Sequence, residues 1–166
     1  MRLPPPCLVA CLIAVLALPL PAAAACTIVY GQGRNASSDE RANDLWDDAN
    51  VLFNNRVAAR LAAAGQAVIP LVLRVTATDV QGNLAKLLAR ARDEDCSRIV
   101  ETSMFADYEG QTFIARLRVL PIVRQGDTLR IGAPSFVSER NFQLTRTTLE
   151  RVKPALLADE MAAEIK

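Results

Sequence analysis

The seven residues Phe113-Ile114-Ala115-Arg116-Leu117-Arg118-Val119 constrain this chain most. Their odd positions are all apolar, and two of the even positions are Arg. A period of two is the pattern of a half-buried strand. Strand patterns flank it. Arg98 to Asp107 precedes it, joined through Glu109-Gly110, where a residue tolerant of positive φ suits a hairpin turn. The central strand spans Gln111 to Val123, and Arg124-Gln125-Gly126-Asp127 forms the next turn. A third strand starts at Thr128, with Leu129, Ile131 and Ala133 on one face and Arg130 on the other. Pro121 and Pro134 lack an N–H and belong at edges, bulges or strand ends. A bulge near Pro134 and a second half from Phe136 to Leu144 are expected.

Arg116, Arg118 and Arg130 gather on one face of this antiparallel meander. Two readings stand. One is a binding surface for an anion or partner, because a guanidinium is a planar fork for carboxylate or phosphate. The other is a solvated sheet face balanced by acids such as Glu101 and Asp107.

The first 25 residues have the grammar of a secretory signal peptide: Arg2, an apolar run from Leu8 to Leu20, then Ala22 to Ala25 as a cleavage signal. Pro19 and Pro21 interrupt the run, which falls short of the ~20 residues a spanning helix needs. Residues 26–166 are expected to form a single domain. The full chain has 19 basic and 18 acidic residues, so losing Arg2 leaves the mature chain formally neutral. No basic run points to nucleic acid. The leader points to a periplasmic or otherwise secreted protein of the bacterial envelope.

Of the four Cys, Cys7 and Cys11 fall in the leader, leaving Cys26 and Cys96. An even pair in an exported chain favours a disulfide. If their strands are parallel neighbours, both lie at one sheet end. Ala23-Ala24-Ala25-Cys26 also resembles a bacterial lipobox, in which Cys26 would carry lipid and hold the protein at the outer membrane; only then would a membrane be a partner.

Ahead of the meander, Cys26 to Tyr30 is a β-branched strand. Gly31-Gln32-Gly33-Arg34-Asn35-Ala36 matches Gly-x-Gly-x-x-Ala, but the acid of a dinucleotide site would fall inside a helix. Gly31 and Gly33 are therefore expected to serve a turn, and no cofactor is expected. Ser37-Ser38-Asp39-Glu40 is a capping box with Ser37 as cap. It opens a helix with Leu45, Ala49, Leu52, Phe53, Val57 and Leu61 on its apolar stripe, Trp46 at the stripe's edge, and Gly65 at its end. Asp44, Asp47 and Asp48 are expected to serve the helix dipole, not a metal. Ala67 to Val75 is a strand that Pro70 places at an edge or in a bulge. Thr78-Asp79-Val80-Gln81 opens a second helix with Val80, Leu84, Leu87, Leu88 and Ala91 inward. Thr147-Thr148-Leu149-Glu150 opens the last helix, which should kink or restart at Pro154.

The fold expected is α/β (α+β): one mixed sheet in the order βαβαβββα, with helices packed on one face. That element order resembles small mixed α/β modules of bacterial envelope proteins, such as those of the curli-secretion lipoproteins and the Tol translocation protein. The resemblance carries over no site residue.

The chain contains no His, so the commonest general base and neutral metal ligand are missing. No catalytic residue, metal site or cofactor is expected. Function is expected to be non-enzymatic: an envelope binding or assembly module that holds a protein or envelope component. The alternatives are a lipidated accessory lipoprotein and a secreted hydrolase built on acids such as Glu101, Asp107 and Glu109.

Overall fold

The computed structural model describes residues 26–165; the expected leader, with Cys7 and Cys11, lies outside the described residues. The elements are β1 (Cys26–Gln32), α1 (Glu40–Ala63), β2 (Val68–Leu73), α2 (Val80–Asp93), β3 (Cys96–Asp107), β4 (Thr112–Gln125), β5 (Thr128–Ile131), β6 (Phe136–Gln143), α3 (Arg146–Arg151) and α4 (Pro154–Ala162). They build one mixed sheet of six strands in the order β2-β1-β3-β4-β5, with β6 also paired to β4. The β1–β2 and β1–β3 pairs are parallel, and the rest are antiparallel.

The expected third meander strand and last helix each appear in two parts. β5 and β6 both run along β4, and between their pairings residues 132–135 face only Leu120 and Pro121. This is the bulge expected at Pro134, and Pro121 sits opposite it. The last helix restarts with Pro154 in its first turn, where a missing N–H costs nothing. Pro70 lies in β2, an edge strand, as its missing donor requires.

The helices do not share a face, which corrects one expectation. Val29, Val100, Leu117 and Val119 pack with Phe53 and Val57 of α1 and Leu157 and Met161 of α4. Ile28, Tyr30 and Ile99 pack with Leu87 and Ala91 of α2. Alternate residues of one strand point to opposite faces, so α2 lies across the sheet from α1 and α4. The cause is topological. The β1-to-β2 crossover moves one way along the sheet and the β2-to-β3 crossover moves back past β1. Right-handed crossovers in opposite directions put their helices on opposite faces.

Several local details also shift. The helix caps are Asp39, Asp79 and Thr145, each one or two residues from the expected Ser37, Thr78 and Thr147. In the first hairpin the positive φ falls on Gln111, not Gly110. Gly65 does end α1 with φ of 82°. On α1 the inward stripe includes Asn50, Asn54 and Ala58, while Leu45 and Leu52 are exposed. On α2, Val80 and Leu84 are likewise exposed. Asp44 and Asp47 lie past the first turn and bond to Arg74, and Asp47 also accepts from the Val75 N–H at 2.6 Å. They tie α1 to the end of β2, where a dipole role was expected.

The Gly-x-Gly stretch is built for close packing. Gly31 lies within β1, where a Cβ would come 3.0 Å from Asn54 Nδ2; at Gly33 a Cβ would come 2.9 Å from Val75 Cβ. Neither glycine has positive φ, so the expected turn role is corrected. Asn54 donates to the Val29 carbonyl and the Thr102 hydroxyl, and it occupies the space that a side chain at position 31 would take.

Cys26 and Cys96 are register partners at one end of the parallel β1–β3 pair and are joined by a disulfide.

Candidate functional site

The α2 face of the sheet is only partly covered. Beyond α2, β3 presents Glu101, Ser103 and Phe105, β4 presents Arg116 and Arg118, and β6 presents Val137 and Glu139. The registers make Glu101 the cross-strand partner of Arg118, Ser103 that of Arg116, and Arg116 that of Glu139. Arg118 bonds Glu101, and Arg116 Nε donates to Glu139 Oε2 at 2.6 Å. That bond, reinforced by Asn141, holds the Glu139 carboxyl below the usual carboxylate range.

A third guanidinium arrives from the loop after β1. Asn35 takes a positive φ of 60° and donates to the Ala106 carbonyl at 2.7 Å, which fastens the loop along β3. Arg34 is thereby held 3.7 Å from Glu101 and 5.5 Å from the centroid of the Phe105 ring. Arg116 lies at the same distance from that ring. Both guanidiniums thus stand within cation–π reach of one buried Phe. Between Glu101 and Phe105 along β3 lies Ser103, 2% exposed, whose Oγ has no hydrogen-bond partner among the described residues.

This charged patch adjoins an apolar trough. A cavity of about 280 Å³ runs between α2 and the sheet, with Ile99, Leu120 and Ile131 as floor and Val80 and Leu84 as wall. Its polar end is formed by Tyr30, Glu101 and Arg118. The Tyr30 hydroxyl donates to Gln32 Oε1 at 2.6 Å. Burial first, and the Glu101 charge second, push the Tyr30 phenol up to about 12.

The structure brings Arg116 and Arg118 together but separates Arg130 from them. Arg130 is opposite Val123, and odd positions of β4 face the α1 side. The expected three-Arg face is corrected to Arg34, Arg116 and Arg118. Arg34 carried no periodicity signal, because it lies in a loop. Phe105 fell within the strand expected from Arg98 to Asp107, but which of its faces α2 would leave open was not legible. Asp107 does not balance these Arg residues; it accepts from the Gly110 N–H in the hairpin.

A second surface feature lies on the α1 side. Trp46, Met104, Phe113, Leu144, Leu149 and Val152 line an apolar cleft of about 390 Å³, with Leu45 and Tyr108 at its exposed rim. Trp46 packs at 5.5 Å on Phe113 and is partly buried against the core, as a boundary residue at the stripe's edge should be. The cleft gathers residues from α1, β3, β4 and α3, and no single segment announced it.

Among the described residues no group of three or more His, Cys, Asp or Glu is placed to hold a metal ion. No described helix is long and apolar enough to cross a membrane.

No family model and no curated protein matches the sequence. Among solved structures, the PelC dodecamer from Paraburkholderia phytofirmans is similar at 12% identity, covering 89% of each chain, with a TM-score of 0.42. The hypothetical protein CT253 from Chlamydia trachomatis is similar at 12% identity, over 86% of this chain and 94% of that one, with a TM-score of 0.43. Lipoprotein GNA1162 from Neisseria meningitidis is similar at 12% identity, over 84% of this chain and 92% of that one, with a TM-score of 0.40. At this identity no residue role passes from these proteins to this chain.

Proposed function

We propose that the protein is an exported, non-enzymatic binding module of the bacterial envelope that holds its ligand on the half-covered α2 face. The observation that carries this reading is the preorganised patch of Arg34, Phe105, Arg116 and Arg118 beside the trough walled by Val80 and Leu84. Arg and aromatic residues fixed before binding lose little freedom on contact, and apolar walls with a few convergent polar groups are the usual make-up of binding sites. Export is supported by the leader pattern and by the disulfide, which suits an oxidising compartment.

The hydrolase alternative draws less support. Glu101 and Asp107 are six residues apart on one extended strand, roughly 20 Å, well beyond the separation of paired glycosidase carboxylates. Both are also engaged, Glu101 by Arg118 and Asp107 by the hairpin. The lipoprotein alternative requires the Cys26 sulfur, which the disulfide already uses.

Cross-linking in envelope extract tests the proposed face. Val80→Asp and Arg34→Ala alter exposed side chains and should leave the fold intact. A partner captured by the wild-type protein should be lost from both variants and kept by Leu149→Asp at the other cleft. Capture that ignores Val80→Asp and Arg34→Ala would move the binding site elsewhere.

A further inference from the structure

We infer that Ser103, with Arg34, Arg116 and Arg118, forms a receptor for an oxyanion, the charged head of the ligand. This rests on the reading of the α2 face as the binding surface and names the chemistry recognised there. The first support is charge: three guanidiniums meet two carboxylates, Glu101 and Glu139, which leaves the frame net positive. The second is a surplus of donors. A guanidinium has five N–H groups and no acceptor. Arg116 gives Nε to Glu139, Arg118 spends its bonds on Glu101, and Arg34 makes only a 3.7 Å ion pair with Glu101. Each carboxylate already faces a guanidinium, and the N–H groups of the three Arg outnumber the bonds they make here.

The third support is Ser103. Its hydroxyl is buried, has no partner among the described residues, and belongs to the residue directly opposite Arg116 in the β3–β4 register. A buried hydroxyl without a partner is costly to keep; an oxyanion accepting from Ser103 and from the free guanidinium edges supplies that partner. Carboxylate and phosphate share this chemistry. The neighbouring trough then accommodates whatever apolar group the head is attached to.

The test is a titration of the ¹⁵N-labelled mature protein by NMR with sodium acetate and, separately, inorganic phosphate, at constant ionic strength. Saturable shifts at Ser103 and Arg116, with half-saturation of about 1–20 mM, are expected. Binding should weaken about tenfold or more in the Arg34→Gln/Arg116→Gln double variant, as loss of charge-assisted bonds implies. It should weaken about threefold or more in Ser103→Ala, and stay unchanged in Arg124→Gln, whose partner is Asp95 far from the frame. Ser103→Ala should also unfold at an equal or higher urea concentration, because it removes an unsatisfied hydroxyl; a purely structural serine would lower that midpoint. Tighter acetate binding assigns a carboxylate head, and tighter phosphate binding a phosphate head. Absence of a saturable shift with either anion, or shifts indifferent to Ser103→Ala and to the double variant, overturns the inference. If Val80→Asp still abolishes partner capture in that case, the face remains the binding surface and only the oxyanion is lost.

Discussion

Asn50 does for β3 what a neighbouring strand would otherwise do. The β1–β3 pairing ends at Gly31 and Thr102, and two residues later Asn50 takes both main-chain groups of Met104. It donates to the Met104 carbonyl and accepts from its N–H, each at 2.8 Å and fully buried. Asn50→Leu keeps the branched heavy-atom shape and strands both groups, so it should cost about 2–5 kcal/mol; urea unfolding of the variant measures this, and a loss below about half a kcal/mol would refute the role. Tyr30 offers a second test at this scale. Its phenol titrates at about 12 in the fold against 10 in the unfolded chain. A raised pKa means the folded state keeps its proton longer. The associated stability is complete below pH 10 and drains away as pH rises from 10 to about 12, roughly 3 kcal/mol in all. Absorbance at alkaline pH in a Tyr108→Phe variant reports Tyr30 alone, and a midpoint near 10 would show the hydroxyl to be solvated.

Among the elements, β1 and β3 depend on the disulfide at their shared end. The bridge closes a loop of 70 residues, and in the chain-entropy account such a closure contributes about 4 kcal/mol. Reduction, or Cys26→Ala/Cys96→Ala, should lower stability by about 2–5 kcal/mol, seen as a drop in the urea midpoint with reductant. An unmoved midpoint would mean that the sheet needs no such link. The helices were legible as elements and less so in orientation. Leu45 and Leu52 fit a helical stripe, yet the buried side of α1 carries Asn50 and Asn54 instead. Periodicity ranks side chains by apolarity, and it cannot see that β3 needs an amide partner beyond its pairing with β1, or that Gly31 leaves room for Asn54. The prolines were read correctly at Pro70, Pro134 and Pro154, because a missing N–H restricts position locally, whatever the rest of the fold does.

For the molecule as a whole, export and the state of Cys26 go together. Mass spectrometry of the mature protein should find Cys26 at the amino terminus, two hydrogens short, and cross-linked to Cys96 in one peptide. A diacylglyceryl mass on Cys26 would replace the proposed module with a lipoprotein. The sequence alone determined the strands, the helices, the mixed sheet and the cysteine pair, since these follow from short-range periodicity, turn chemistry and a count of thiols. Only the tertiary structure decided that α2 lies opposite α1, that Arg130 faces away from Arg116 and Arg118, and that Arg34 closes over Phe105. Those outcomes depend on strand order and crossover hand, which bring together residues some seventy positions apart and leave no trace in any local pattern.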